Sequence, residues 1–206
     1  MSSAAADRLD RRGPKRGDER RTALLAALEE MLKEGVGLED VQIAEISRRA
    51  GVTRSAFYFY FESKAIAVAA LMDQHYAESA AAGEILLDVS RDPAERIEAA
   101  LRALLASVGD RLPLYLAMLT ARGPNPVVTE LWESDRASFV PAVAAMIRDE
   151  RSGGRAVDGP DAEALATALL DLNDRAMESH ARAGAHTTDE RIAALVAIWV
   201  RSIYGS

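Results

Sequence analysis

The sequence predicts an all-α fold of about nine helices, and three observations carry that expectation. Alanine and leucine dominate a composition that is 49% apolar but only 5% aromatic, a balance that favours helix over sheet. Apolar residues recur at three- and four-residue spacing in segment after segment, and no segment makes a convincing strand. Between those segments stand the Gly, Pro, Asp and Thr residues that start and stop helices.

The chain has 206 residues, enough for one sizeable domain or two small ones with a real core. With no cysteine, disulfides and thiolate zinc sites are excluded. Asp, Glu and Arg interrupt every apolar stretch before the roughly 18–20 residues needed to span a bilayer. The N-terminus lacks the apolar core of a signal peptide. A cytoplasmic protein with no membrane partner is the expectation.

A net charge of −7 argues at first against a nucleic-acid partner, but the distribution reverses this. Through residue 64 there are twelve Lys/Arg against eleven Asp/Glu, and after it thirteen against twenty-one. A basic end on an acidic body is expected where one end alone meets DNA. Arg8, Arg11, Arg12, Lys15, Arg16, Arg20 and Arg21 concentrate that charge; a solvated, disordered tail explains them equally well.

Residues 1–17 lack apolar periodicity and read as an arm. From Asp18, Ala23, Leu24, Ala27, Leu28, Met31 and Leu32 recur at helical spacing to about Gly35. Two short helices follow, then one from Ser63 towards Gly83 carrying Ile66, Ala69, Ala70, Met72 and Tyr76. Asp92-Pro93-Ala94-Glu95 is a strong helix start, with an N-cap aspartate and proline at the first position. That helix runs to about Gly109, and another from Pro113 to Arg122. A long helix is predicted from Val127 to Arg151, kinked at Pro141. Glycine-rich 152–160 is a loop, followed by a helix from Asp161 to about Arg182. A capping box, Thr187-Thr188-Asp189-Glu190, opens the last helix through Ile192, Leu195, Val196, Trp199 and Ile203.

The segment from Gln42 to Phe61, QIAEISRRAGVTRSAFYFYF, has the pattern of a helix-turn-helix. Gly51 falls at the turn, where positive φ is cheap only for glycine. Ile46, Ala50, Val52, Phe57 and Tyr60 fall where two crossed helices bury apolar groups, Ser47 is small at their closest approach, and Thr53 is placed to cap the second helix. An ordinary helical hairpin with an aromatic core is the rival reading. At roughly 100° per residue, however, Tyr58, Phe59, Tyr60 and Phe61 point in widely spread directions. With Phe57, Tyr60 and Phe61 inward, Tyr58 and Phe59 face outward beside Thr53, Arg54 and Ser55, where a phenol suits phosphate and base-edge contact.

The stretch from Ile43 to Leu71, with AGVTRSAFYFYFESKAIAVAAL at its heart, resembles the DNA-binding domain of the TetR family of transcriptional repressors. The resemblance implies that Thr53, Arg54, Ser55 and Ala56 face the major groove. It implies DNA contacts from Tyr58 and Tyr60, a phosphate contact from Lys64, and a backbone contact from Gln42. For Tyr60 the inward ring expected from the turn and the DNA contact of the family stay side by side. Two residues depart from the pattern: Glu62 stands where proline is common, and Ala65 where glutamate is common. The resulting division is an arm at 1–17, a helix-turn-helix domain at 18–64 and a ligand-binding and dimerisation domain at 65–206.

Further on, TELWESDRASFVPAVAAMIRDER, LATALLDLNDRAMESHARAG and VAIWVRSIYG resemble the ethionamide-activation subfamily of the same family. That resemblance implies a homodimer through the last two helices and a mainly apolar ligand tunnel. Trp132, Phe139, Asn173 and Trp199 match lining positions. Ile97, Leu104 and Val108 stand where the subfamily is rich in aromatics, so a more aliphatic lining is implied. An asparagine there can orient a ligand carbonyl or bond a neighbouring helix; the tryptophans can line a tunnel or simply pack. Asp174 and Arg175 read as a structural ion pair.

His75, His180 and His186 have no metal-site spacing, so a surface role is expected and no metal or cofactor is implied. Nucleotide-binding and nucleophile-elbow motifs are missing, and the carboxylates read as solvated faces, so an enzyme is not expected. The leading expectation is a ligand-responsive repressor: a dimer on a pseudo-palindromic double-stranded operator, released by a small hydrophobic effector. A helical protein-interaction module with a vestigial helix-turn-helix is the alternative.

Overall fold

The computed structural model describes residues 19–76 and 80–205, and among these it contains eleven helices and no strand. The arm 1–17, residues 77–79 of the helix expected to reach Gly83, and the side chain of His75 lie outside the described residues. The described residues divide into two compact units, 19–76 with 113–134 and 80–112 with 135–205.

In the first unit, α1 (Glu19–Lys33) buries Leu24, Leu25, Leu28, Met31 and Leu32 along one stripe. It stops at Gly35, whose φ of +86° lets the Gly35 and Val36 N–H groups bond the carbonyls of Leu32 (3.0 Å) and Met31 (3.1 Å), the Schellman arrangement. Helices α2 (Ile43–Arg49) and α3 (Arg54–Tyr60) follow, and α2 packs against both α1 and α3. The Ser63 hydroxyl accepts from the Ile66 N–H (3.2 Å), opening α4 (Lys64–Tyr76). Every residue from Ile66 to Met72 is buried, so the middle two turns of α4 are enclosed on all sides. Also in this unit, α7 (Leu112–Arg122) and α8 (Pro126–Ala137) bring Tyr115 edge-on to Trp132, ring centroids 5.6 Å apart, with the Arg122 guanidinium 4.9 Å from the Trp132 ring.

The second unit holds α5 (Ala80–Leu87), α6 (Pro93–Asp110), α9 (Val140–Ser152), α10 (Ala162–Arg182) and α11 (Asp189–Tyr204). Gly83 lies inside α5 instead of ending a helix. Asp92 caps α6 by accepting from Ala94 (2.9 Å) and Glu95 (3.2 Å). Asp161 caps α10 in the same way, and those N–H groups hold its carboxyl below the usual carboxylate range. The last helix is capped by Thr188, which accepts from Arg191, one residue later than expected; the third helical residue is then Arg191 instead of Glu190, so the expected Thr187–Glu190 box does not form.

The expected single helix from Val127 to Arg151 is two, broken at Ser138 and Phe139. Pro141 has no N–H and its ring would collide with the carbonyl four residues back. It therefore sits in the first turn of α9, where a missing donor costs nothing.

Ile97, Leu101, Val143, Ile147, Trp199 and Ile203 belong to the core of this unit. Beside it lies an ion pair that the sequence did not announce. Arg96 and Glu150, 1% and 2% exposed, meet at 3.0 Å. Arg96 also donates to the Leu86 carbonyl (2.8 Å) and the Tyr204 hydroxyl, and Arg155 donates to the second Glu150 oxygen (3.0 Å). A buried charge pair is tolerable only with such additional hydrogen bonds. His180, expected at the surface, is buried, with Nδ1 2.8 Å from the Thr187 hydroxyl. The expected Asp174–Arg175 pair does not form: Asp174 reaches Arg136 (3.4 Å) and Arg175 pairs with Glu178 (3.2 Å). Neighbours on a helix point about 100° apart, so each finds a different partner.

Candidate nucleic-acid interface

Helix α2 ends at Ala50, and Gly51 takes a φ of +66°. The Val52 N–H bonds the Ser47 carbonyl (2.9 Å), turning the chain sharply into α3. Ser47 is buried and its hydroxyl donates to the Ile43 carbonyl (2.9 Å). Thr53 takes extended backbone angles and its Oγ1 accepts the Ala56 N–H (3.2 Å), so α3 starts where the sequence placed it. Ile46, Phe57, Tyr60 and Phe61 are buried as expected. Ala50 and Val52 are only half-buried, because the turn lies at the rim of the core.

The outward face of α3 carries Arg54, Ser55, Tyr58 and Phe59, with Tyr58 41% and Phe59 47% exposed. Arg54 lies over the Tyr58 ring, 5.7 Å from its centroid, and its Nη2 donates to the phenol oxygen at 3.2 Å. Ala56 is half-buried, and its N–H serves the Thr53 cap. Tyr60 is 7% exposed and lies edge-on to Phe59, the inward ring expected from the turn. Gln42 is exposed just before α2, with no cap bond from its side chain. The Lys64 ammonium donates to the carbonyls of Glu39 (2.7 Å) and Val41 (3.2 Å), holding down the loop that leads into α2.

The arginines of α2 are differently engaged. Arg48 makes a two-pronged contact with Glu45 (2.7 and 2.6 Å). Arg49 does the same with Glu34 (2.7 and 2.8 Å) and adds Glu45 (2.9 Å), tying α2 to the end of α1. Bonds from Arg48 and then Arg49 pull the Glu45 carboxyl down to about 2, and Arg49 lowers Glu34. These carboxylates lie beside the candidate face; sequence reasoning passed over them, although Glu45 three and four residues before Arg48 and Arg49 is the spacing of helical ion pairs.

Of the residues expected around a ligand, Ile97 and Trp199 share one core, and Asn173 is buried with its Oδ1 accepting the Trp199 indole N–H at 3.0 Å. Val108 is buried and Leu104 half-buried further along α6. Phe139 is 45% exposed at the start of α9, and Trp132 packs within the other unit.

Among the described residues no helix is long and apolar enough to cross a membrane. Residues 24–71 match the model of bacterial regulatory proteins of the tetR family, and residues 97–205 match that of the C-terminal domain of the transcriptional regulator EthR. The HTH-type transcriptional regulator EthR of Mycobacterium tuberculosis is 31% identical over 208 residues, covering 99% of this chain and 96% of that protein. Its counterpart in Mycolicibacterium smegmatis is 29% identical over 199 residues, covering 92% and 88%. The same fold recurs in Thermus thermophilus FadR, a TetR-family repressor in complex with lauroyl-CoA, at 22% identity with a TM-score of 0.63 over 88% of this chain and 91% of that one. It recurs also in NalD of Pseudomonas aeruginosa, the secondary repressor of a multidrug efflux pump, at 21% identity with a TM-score of 0.64 over 91% and 98%.

Proposed function

We propose that this chain, which belongs to the TetR family of bacterial regulatory proteins and carries an EthR-type C-terminal domain, is a ligand-responsive repressor of pseudo-palindromic DNA. The observation that carries this reading is the outward face of α3, where Arg54 and Tyr58 stand exposed on a helix fixed by the Gly51 turn and the Thr53 cap. A helix so presented enters a major groove, and two copies in a dimer read two half-sites.

The homodimer forms through α10 and α11. Leu195, Trp199 and Ile203 face the core of their own unit, while Ile198 is exposed on the flank of α11 beside that stripe, an apolar contact for a second copy. The effector is small and mainly apolar and is held in the C-terminal domain near Asn173, whose Oδ1 serves Trp199 while its NH2 group is the donor for a ligand carbonyl. Effector binding favours a dimer whose recognition helices are wrongly spaced, and DNA is released by population shift. The protein acts in the cytoplasm.

Fluorescence anisotropy with duplexes from the chain's own upstream region tests the reading. Saturable binding with a steep salt dependence is expected, since each neutralised phosphate contributes about −0.9 to the slope of log K against log salt. No saturable binding, with tight capture of a protein partner instead, would leave a helical interaction module. Light scattering of the wild type and Ile198→Asp tests the dimer, which should dissociate in the variant.

A further inference from the structure

We propose that Arg54 is the base-reading residue of α3 and takes a guanine in each half-site, with Tyr58 positioning its guanidinium for the contact. The inference rests on the DNA-binding reading above and goes further, to one residue and one base.

From Gln42 to Lys64 the cations are Arg48, Arg49, Arg54 and Lys64. Arg48 and Arg49 are closed off by two-pronged bonds to Glu45 and Glu34, and the Lys64 ammonium is turned onto two backbone carbonyls. Of the three arginines, Arg54 alone is held by an uncharged group, the phenol of Tyr58. On α3 itself the alternatives are few. Thr53 Oγ1 is engaged in the cap, Phe57 and Tyr60 are buried, and Ala56 and Phe59 have no side-chain hydrogen-bonding atoms. Ser55 is short and identifies no base by itself, since a hydroxyl both donates and accepts.

A guanidinium offers five N–H groups in a planar fork, and the Tyr58 contact uses one of them. Guanine presents two acceptors, O6 and N7, side by side in the major groove, and this fork matches them in a two-pronged contact. One helical turn separates Arg54 from Tyr58, so the ring supports the flexible arginine stem and reduces the freedom lost on binding. Because the tether is neutral, no ion pair has to break before the base is reached.

The test uses the full-length protein and a duplex selected by it from a pool with a randomised centre. Each guanine of the selected half-site is replaced in turn by 7-deazaguanine, which lacks the N7 acceptor, and anisotropy is measured for wild type, Arg54→Ala, Arg54→Lys and Tyr58→Phe. One position per half-site should cost the wild type roughly tenfold. Arg54→Ala should lose sensitivity at that position alone, and Arg54→Lys should keep part of it. Tyr58→Phe should weaken the same contact without moving it. If Arg54→Ala keeps the full wild-type response to every replaced guanine, or weakens all duplexes equally with a shallower salt slope, Arg54 is a phosphate contact and the inference falls alone. If the wild type selects no sequence, the DNA reading falls with it.

Discussion

The indole N–H of Trp199 donates to Oδ1 of Asn173 at 3.0 Å, so the asparagine singled out for a ligand also joins α10 to α11. Both groups are buried, and an unmade bond there would leave the indole donor unsatisfied. Asn173→Leu should therefore destabilise the fold by about 1–3 kcal/mol, lowering the melting temperature by several degrees at this chain size. Operator affinity measured well below that temperature should stay within about threefold. An unchanged melting temperature would mean that the bond contributes nothing.

The Arg96–Glu150 pair should respond asymmetrically to substitution. Arg96→Met leaves a buried carboxylate with only the half-exposed Arg155 and should cost about 3–5 kcal/mol, whereas Arg96→Met with Glu150→Leu should recover most of it. Urea denaturation of the single and double variants decides this. A double variant as unstable as the single one would contradict the pairing.

Tyr204 gives that cluster an alkaline limit. Burial, acting against the nearby Arg96 charge, raises its pKa above 10. A group whose folded pKa is raised contributes stability in full below its unfolded pKa and loses it as pH rises through the folded value. Stability should thus decline above about pH 10, and the decline should be shallower in Tyr204→Phe. Matching alkaline profiles would exclude Tyr204 as its source.

His180 sets an acid limit of opposite sign. Burial lowers its pKa below 6.5, against a backbone bond to Leu105 that raises it. Its contribution is complete above about pH 6.5 and is lost as pH falls through the lowered value, because the unfolded chain binds the proton more readily. Thermal melts at pH 7.5 and 5 should differ less for His180→Gln than for the wild type.

Glu45 neutralises two arginines beside the candidate interface, and removing its charge should help DNA binding. Glu45→Gln should raise operator affinity a few-fold and steepen the salt slope by about 1, as Arg48 becomes available to a phosphate. An unchanged slope would place Arg48 away from the DNA.

How much could be read beforehand follows from how far apart the deciding residues lie. The Gly51 turn, the Thr53 cap and the outward Tyr58 and Phe59 depend on neighbours within four residues, and periodicity alone located them. Pro141 was visible too, but whether a proline kinks or breaks a helix depends on what packs around it, so one expected helix became two. His180 was misplaced because a lone histidine carries no sequence mark of burial; its partner is a threonine across the α10–α11 loop.

The sequence by itself determined most of the helices, several of their caps and the inward and outward faces of the helix-turn-helix, because backbone bonding and apolar spacing act over three or four residues. Tertiary structure decided which polar groups could be buried. Arg96 meets Glu150 54 residues away and Tyr204 108 away, and a charge is kept inside only when distant elements bring all its partners at once. The same reason settled which arginine of the helix-turn-helix was left to an uncharged neighbour: Arg49 found Glu34 fifteen residues earlier, while Arg54 found only Tyr58 one turn on.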